Sequence, residues 1–290
     1  MRNKKLLGTG VALVTPFYED GSIDFLSLKK LINHLINNDI NYLVVMGTTG
    51  ESATLSLDEQ NEVIHCVKEI VNNRVPIVIG VGGNYTAQVL DRINNIDFEG
   101  VEAILSVSPY YNRPSQKGLY SHYAKISKSS PVDIILYNVP SRTSLNVDVD
   151  TVLELAQNYD NIVGIKEASG NIVQCMDLYA RCPRDFMIIS GDDKMTFPIM
   201  LLGGVGVISV QAMAMPKLFS HMVQLLLDKK VSLAQKCHYD LLKSVDLFYI
   251  DGNPSGIKEV LCNLNICTSN HVRLPLVKMN PSNAEQLNKI

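Results

Sequence analysis

Eight short, dense apolar runs recur along the chain: GVALVT (10–15), YLVVMG (42–47), PIVIGVG (76–82), EAILSVSP (102–109), VDIILYNVP (132–140), NIVGIKEA (161–168), FMIISG (186–191) and GVISV (206–210). Each is rich in Val and Ile, too short for a helix, and bounded by Gly, Pro or Asn. Their apolar residues do not alternate with polar ones, so they read as strands covered on both faces, as in a buried parallel sheet. Between them lie segments of helical period. FLSLKKLINHLINN (25–38) stacks Leu28, Leu31, Ile32 and Leu35 on one stripe, and LDEQNEVIHCVKEIVNN (57–73) opens with acidic residues in its first turn.

Eight strand-then-helix units within residues 10–210 predict a (β/α)₈ TIM barrel, an α/β fold. A doubly wound sheet is the competing topology, but it usually has a Gly-rich phosphate turn after its first strand, and VTPFYEDG is not one. Beyond residue 211 the strand texture stops. The expected organisation is a catalytic barrel over 1–224 and a C-terminal helical extension over 225–290.

A net charge of −3 and the lack of any Lys/Arg run leave no electrostatic footprint for nucleic acid. No apolar run approaches the length of a membrane span. The start, MRNKKLLGTGVALVTP, has the basic head of a signal peptide. However, Gly8, Thr9 and Gly10 interrupt its apolar stretch and no small-residue cleavage site follows, so it reads as a first strand. Six cysteines with no C-x-x-C pair read as buried free thiols of a reducing compartment, and a cytoplasmic protein is expected. The six histidines show no ligand spacing, so no metal site is expected.

In such a barrel the chemistry sits at the C-terminal strand ends. Those ends carry Thr48 and Thr49, Tyr110 and Tyr111, Tyr137 and Arg142, Lys166, Gly191 and Ile208. Lys166 can be an ordinary solvated charge. Yet if Ile165 faces the helices, strand alternation points Lys166 at the barrel axis. A desolvated lysine favours the neutral amine, which attacks a carbonyl to form a Schiff base. That is aldolase chemistry without a metal, and it suits this sequence.

The same word, GIKE, recurs at 256–259. There Asn253 or Ser255 stands at a helix start and Glu259 in an early turn, so Lys258 reads as a solvated charge on a capped helix. Tyr137 is either core or a phenol able to shuttle protons beside the lysine. Arg142 either caps or hangs in water, or clamps a carboxylate with its planar fork. GTTGES (47–52) is a plain turn or an anion cradle. SGDDK (190–194) is a Mg²⁺ site or a pair of helix caps.

Four words, GTTGESATL (47–55), SPYYNRPSQKGLYSHY (108–123), YNVPSRT (137–143) and GIKEASG (164–170), resemble the pyruvate-dependent class I aldolase family that includes N-acetylneuraminate lyase. The resemblance spans nearly the whole chain. It implies a lyase in which Lys166 forms a covalent imine with pyruvate, with no other cofactor. Tyr137 would transfer protons in a relay with Thr48 and with Tyr111, the latter lent across a dimer interface. Thr49 would hold the pyruvate carboxylate, Gly191 and Ile208 would line the pocket, and Arg142 would bind the carboxylate of L-aspartate 4-semialdehyde. The implied product is 4-hydroxy-tetrahydrodipicolinate, on the route to diaminopimelate and lysine. The implied assembly is a cytoplasmic homotetramer built as a dimer of dimers.

The resemblance also implies a vestigial effector site for lysine at Ser52, Ala53, Asn84, Gln88 and Tyr110. Leu57 and Gln60 stand where relatives often have histidines. Gln88 stands where a glutamate would meet the effector's ammonium, so weak or absent lysine inhibition is expected. Met213 and the DGNPSGIK stretch also depart from the usual pattern, outside the expected site. A 2-keto sugar-acid or sialic-acid lyase and a non-catalytic 2-keto-acid-binding relative are the alternatives. Arg142 and the second threonine of GTTGES speak against the first, and the retained Lys166, Tyr137, Tyr111 and Thr48 against the second.

Overall fold

The computed structural model describes residues 2–287. Eight parallel strands close a barrel in sequence order: β1 (Gly8–Ala12), β2 (Tyr42–Val45), β3 (Ile77–Gly80), β4 (Val101–Val107), β5 (Asp133–Asn138), β6 (Ile162–Glu167), β7 (Met187–Ser190) and β8 (Gly206–Ser209), with β8 pairing back to β1. Every expected apolar run overlaps one of these strands, and six contain theirs; β1 starts two residues and β4 one residue before the expected run. The doubly wound alternative is excluded by the closure.

The helices are α1 (Phe25–Ile36), α2 (Leu57–Val71), α3 (Thr86–Asn94), α4 (Gln116–Ser129), the single turn α5 (Pro140–Thr143), α6 (Val149–Asn158), α7 (Ile172–Arg181), α8 (Thr196–Leu201), α9 (Pro216–Leu227), α10 (Val231–Tyr249), α11 (Ser255–Asn263) and α12 (Pro281–Leu287). α2 starts on a capping box: the Ser56 hydroxyl accepts from the Glu59 N–H while the Glu59 carboxylate accepts from the Ser56 N–H. The stripe of Leu28, Leu31, Ile32 and Leu35 on α1 is fully buried. α9 packs beside β1, and the boundary expected at 224/225 falls in its last turn.

Two apolar layers follow from the period-two geometry of the strands. Val44, Val78, Leu105, Ile135, Val163, Met187 and Ile208 fill the barrel, while Leu43, Ile79, Ile104, Leu136, Ile165 and Val207 pack under the helices. One irregularity decides the site. β6 pairs Ile162 with Ile134 but Gly164 with Ile135, leaving Val163 as an extra residue. That bulge lets Val163 face inward and still leaves Ile165 outward and Lys166 inward, the re-aiming that bulges produce. Gly164 makes the bulge possible, since a Cβ there would lie 2.6 Å from the Met187 carbonyl oxygen.

His122 on α4 is buried, with Nδ1 2.9 Å from the Thr86 hydroxyl and Nε2 unpartnered. Burial pushes its pKa down to about 4. The folded state therefore keeps His122 neutral while the unfolded chain protonates near the ordinary histidine value. The stability this contributes is complete above pH 6.5 and is lost as pH falls toward 4. Between pH 7 and 5 the loss should be about 2 kcal/mol. Denaturant titrations at both pH values should show it, and His122→Gln should remove most of that slope.

Candidate active site

The C-terminal mouth of the barrel opens into a cavity of about 730 Å³ whose walls include Thr48, Ser52, Leu105, Tyr137, Val139, Arg142 and Asn253. Tyr137 ends β5 and lies beside Lys166 on β6, the two being register partners. The Lys166 Nζ sits 4.4 Å from the centroid of the Tyr137 ring. Lys166 is 6% exposed, and its amine has no hydrogen-bond or carboxylate partner among the described residues. Its sequence neighbour Glu167 does not supply one. That carboxyl points the other way and accepts from the Asn138 and Gln174 amides and from the Ser169 N–H. A Cβ on Gly191 would come within 3.0 Å of the Lys166 side chain, so the absence of a side chain there makes room for the lysine stem. Ile208 lies in the barrel interior, and neither it nor Gly191, Lys166 or Thr49 belongs to the lining of the cavity.

Lys258 corrects the expectation of a solvated charge. It is 1% exposed, one of the largest fully buried side chains. Its Nζ donates to Glu51 Oε1 at 2.5 Å and to the His271 carbonyl at 2.9 Å, and it lies 4.1 Å above the Phe17 ring. Burial pulls its pKa down and Glu51 pulls it back up. The capping expectation fails as well. Pro254 occupies the N-cap with no side-chain cap bond, the Ser255 hydroxyl donates to the Val277 carbonyl, and Asn253 donates to the Thr49 hydroxyl. The reason is that α11 buries Ile257, Lys258 and Leu261 as its inward face, and the partner that neutralises the lysine lies on a distant loop.

That loop is GTTGES. It folds as two consecutive 3₁₀ turns, Thr48–Gly50 and Ser52–Thr54, joined by Glu51 in the left-handed region at φ 52°. Thr48 is exposed on the cavity wall and Thr49 is buried. Arg142 stands exposed on the one-turn helix α5 and also lines the cavity. Tyr111 is the one member of the expected relay that does not join the wall. It is 93% exposed and held at φ 69°, an outlier conformation for a bulky residue. Ser52, Ala53, Asn84, Gln88 and Tyr110 all border the cavity on its α2–α3 side, where the Asn84 amide donates to the Tyr110 carbonyl.

The sequence reading missed three groups. Asn253 and Glu51 act on the threonine turn from positions with no local signature. Arg92, also on the cavity wall, donates to Asn61, while its Nη2 is buried without a partner. The aspartates of SGDDK do not cap the helix that follows, whose N-cap is Met195 with no side-chain cap bond: Asp192 accepts from the Lys194 and Met195 N–H groups in a local turn, and Asp193 accepts from the Gln211 N–H and the Tyr249 hydroxyl. No three His, Cys, Asp or Glu side chains converge as metal ligands among the described residues. All six cysteines are free, but only Cys175 and Cys267 are buried. The other four are half-buried.

The chain is similar throughout its length to known proteins. The 4-hydroxy-tetrahydrodipicolinate synthase of Flavobacterium psychrophilum is 50% identical over 281 residues, covering 97% of this chain and 96% of the relative. The structure of the 4-hydroxy-tetrahydrodipicolinate synthase from Methylacidiphilum fumariolicum SolV superposes with a TM-score of 0.95 at 40% identity, covering 98% of this chain and 94% of that one. The lysine-bound dihydrodipicolinate synthase of Cyanidioschyzon merolae superposes with a TM-score of 0.95 at 33% identity, covering 99% and 97%. The sequence model of the dihydrodipicolinate synthetase family matches residues 5–290, and the chain belongs to that family.

Proposed function

We propose that this protein condenses pyruvate with L-aspartate 4-semialdehyde to give 4-hydroxy-tetrahydrodipicolinate, as a lyase of diaminopimelate and lysine biosynthesis. The observation that carries the reading is the contrast between two buried lysines. Lys258 has a carboxylate, a carbonyl and a ring around its amine, whereas Lys166 has only the ring of Tyr137, which itself lines the cavity. An unpartnered amine at a strand end is the group free to attack a carbonyl.

The Lys166 amine adds to C2 of pyruvate and water leaves, giving an iminium with no cofactor beyond the protein. Loss of a C3 proton gives the enamine, whose C3 attacks the aldehyde carbon of the second substrate. The substrate's own amino group then attacks the imine carbon, closes the ring and releases Lys166. Tyr137 and Thr48 border the same cavity and carry the protons, with Tyr111 completing the relay from a neighbouring subunit. Thr49 holds the keto-acid carboxylate, and Arg142, at the mouth, meets the carboxylate of the aldehyde.

A Tyr111 that is exposed and conformationally strained supports an assembly in which a second copy receives it. A separate exposed apolar face, Val173, Met176 and Tyr179 on α7 with Leu201 on the adjacent α8, supports a second interface, hence a tetramer built from dimers. No helix among the described residues is long and apolar enough to cross a membrane. Six free cysteines support a reducing, cytoplasmic setting.

A coupled assay offering aspartate semialdehyde and sugar-derived aldehydes in parallel tests the substrate. Turnover is expected only with the former, and preference for a sugar aldehyde refutes the reading. In Arg142→Met the KM for the semialdehyde should rise on the order of 100-fold, from the loss of a charge-assisted fork, while the pyruvate KM moves little. Lysine should inhibit weakly or not at all. Gln88 supplies no charge for its ammonium, and Arg92 places a like charge on the same wall. Half-inhibition at micromolar lysine would contradict this.

A further inference from the structure

We propose that the buried Lys258–Glu51 ion pair is a positioning device for the active site, through which the C-terminal extension, rather than the barrel alone, sets the geometry of Thr48 and Thr49. The inference rests on the reading of this cavity as a 2-keto-acid site with Lys166 as its nucleophile.

Glu51 is the joint between the two 3₁₀ turns of the threonine loop, and its left-handed backbone is one that a non-glycine residue holds only when its surroundings enforce it. Here the surroundings come from the extension. Glu51 Oε1 accepts from Lys258 and Oε2 accepts from the Arg273 N–H at 3.0 Å, so both carboxyl oxygens are fixed by residues more than 200 positions away. The segment that carries Lys258 grips the loop a second time, through the 2.9 Å bond from Asn253 to the Thr49 hydroxyl. On the barrel side the loop has two side-chain tethers, the 2.7 Å bond from the Thr15 hydroxyl to the Gly50 carbonyl and the 3.0 Å bond from the Gln60 amide to the Ser52 carbonyl, and neither holds Glu51, Thr48 or Thr49. Lys258 is itself fully satisfied by Glu51, the His271 carbonyl and the face of Phe17, so it has no free electron pair or donor to offer a ligand. It is therefore placed to orient the loop and not to react.

A buried ion pair is a poor way to gain stability, since apolar groups of the same volume serve as well, but it fixes direction because each charge must meet its partner. If orientation is its role, removing both charges restores folding without restoring the site. The variants to compare are K258M, E51Q, E51Q/K258M and N253A, each measured for thermal midpoint, pyruvate KM, kcat and imine formation on Lys166 by borohydride reduction and peptide mass. The single charge variants should melt early. The double variant should regain most of the lost midpoint, yet keep a pyruvate KM raised about 10- to 100-fold, the scale of a displacement near 1 Å. N253A, which strands no buried charge, should raise KM in the same direction. Imine should still trap on Lys166 at saturating pyruvate in all of them. A double variant with the pyruvate KM and kcat of the unaltered enzyme would show that the pair serves stability alone, and so would an unchanged KM in N253A if the double variant fails to fold. Failure of the unaltered enzyme to trap imine at all would instead refute the reading of the cavity.

Discussion

Replacing Lys166 with alanine is expected to lower turnover by on the order of 10⁵-fold or more, with little change in the thermal midpoint. The size follows from what the tether does. A covalent imine makes the later carbon–carbon bond formation intramolecular, and well-oriented tethering is worth effective molarities of about 10⁵–10⁸ M. The small stability effect follows from the surroundings. Lys166 forms no ion pair whose partner would be stranded, and Glu167 beside it keeps its own donors. Lys258→Ala should behave in the opposite way. It leaves Glu51 buried without its counter-charge, so stability should fall first, by about 3–5 kcal/mol. Two copies of one tetrapeptide thus predict two distinguishable phenotypes.

Tyr137→Phe should lower kcat by about 10²- to 10⁴-fold, the usual worth of a positioned general acid–base. The substitution keeps the ring against which the Lys166 amine packs at 4.4 Å and deletes only the hydroxyl. Imine formation should therefore survive at equilibrium, while exchange of the pyruvate methyl protons with solvent deuterium should slow in step with kcat. If exchange stayed at the original rate, the proton would have to travel by another route and Tyr137 would be a packing residue.

The barrel was legible because burial on both faces leaves its mark in each strand separately, with Val and Ile at successive positions and a Gly, Pro or Asn at each edge. The inward aim of Lys166 was legible for a narrower reason. It needs only that Ile165 faces outward, and the bulge at Val163 lies upstream of both residues, so the alternation between them is intact. Lys258 was not legible. Its helix does begin near Pro254, but which face of α11 is inward depends on Glu51 and Phe17, and no window of sequence contains all three. Tyr111 stands in solvent for a related reason: under the proposed assembly its partner surface lies on another copy. Arg92 was overlooked because a single arginine on a helix carries no pattern. It matters only once the cavity wall beside it is known.

The central claim is that Lys166 is the residue that captures the keto acid. Incubating the protein with pyruvate, reducing with borohydride and mapping the digested peptides by mass tests it directly. The account predicts one reduced pyruvate adduct, on the peptide bearing Lys166, lost in Lys166→Ala and unchanged in Tyr137→Phe. An adduct on the peptide bearing Lys258, or no adduct at saturating pyruvate, would contradict it.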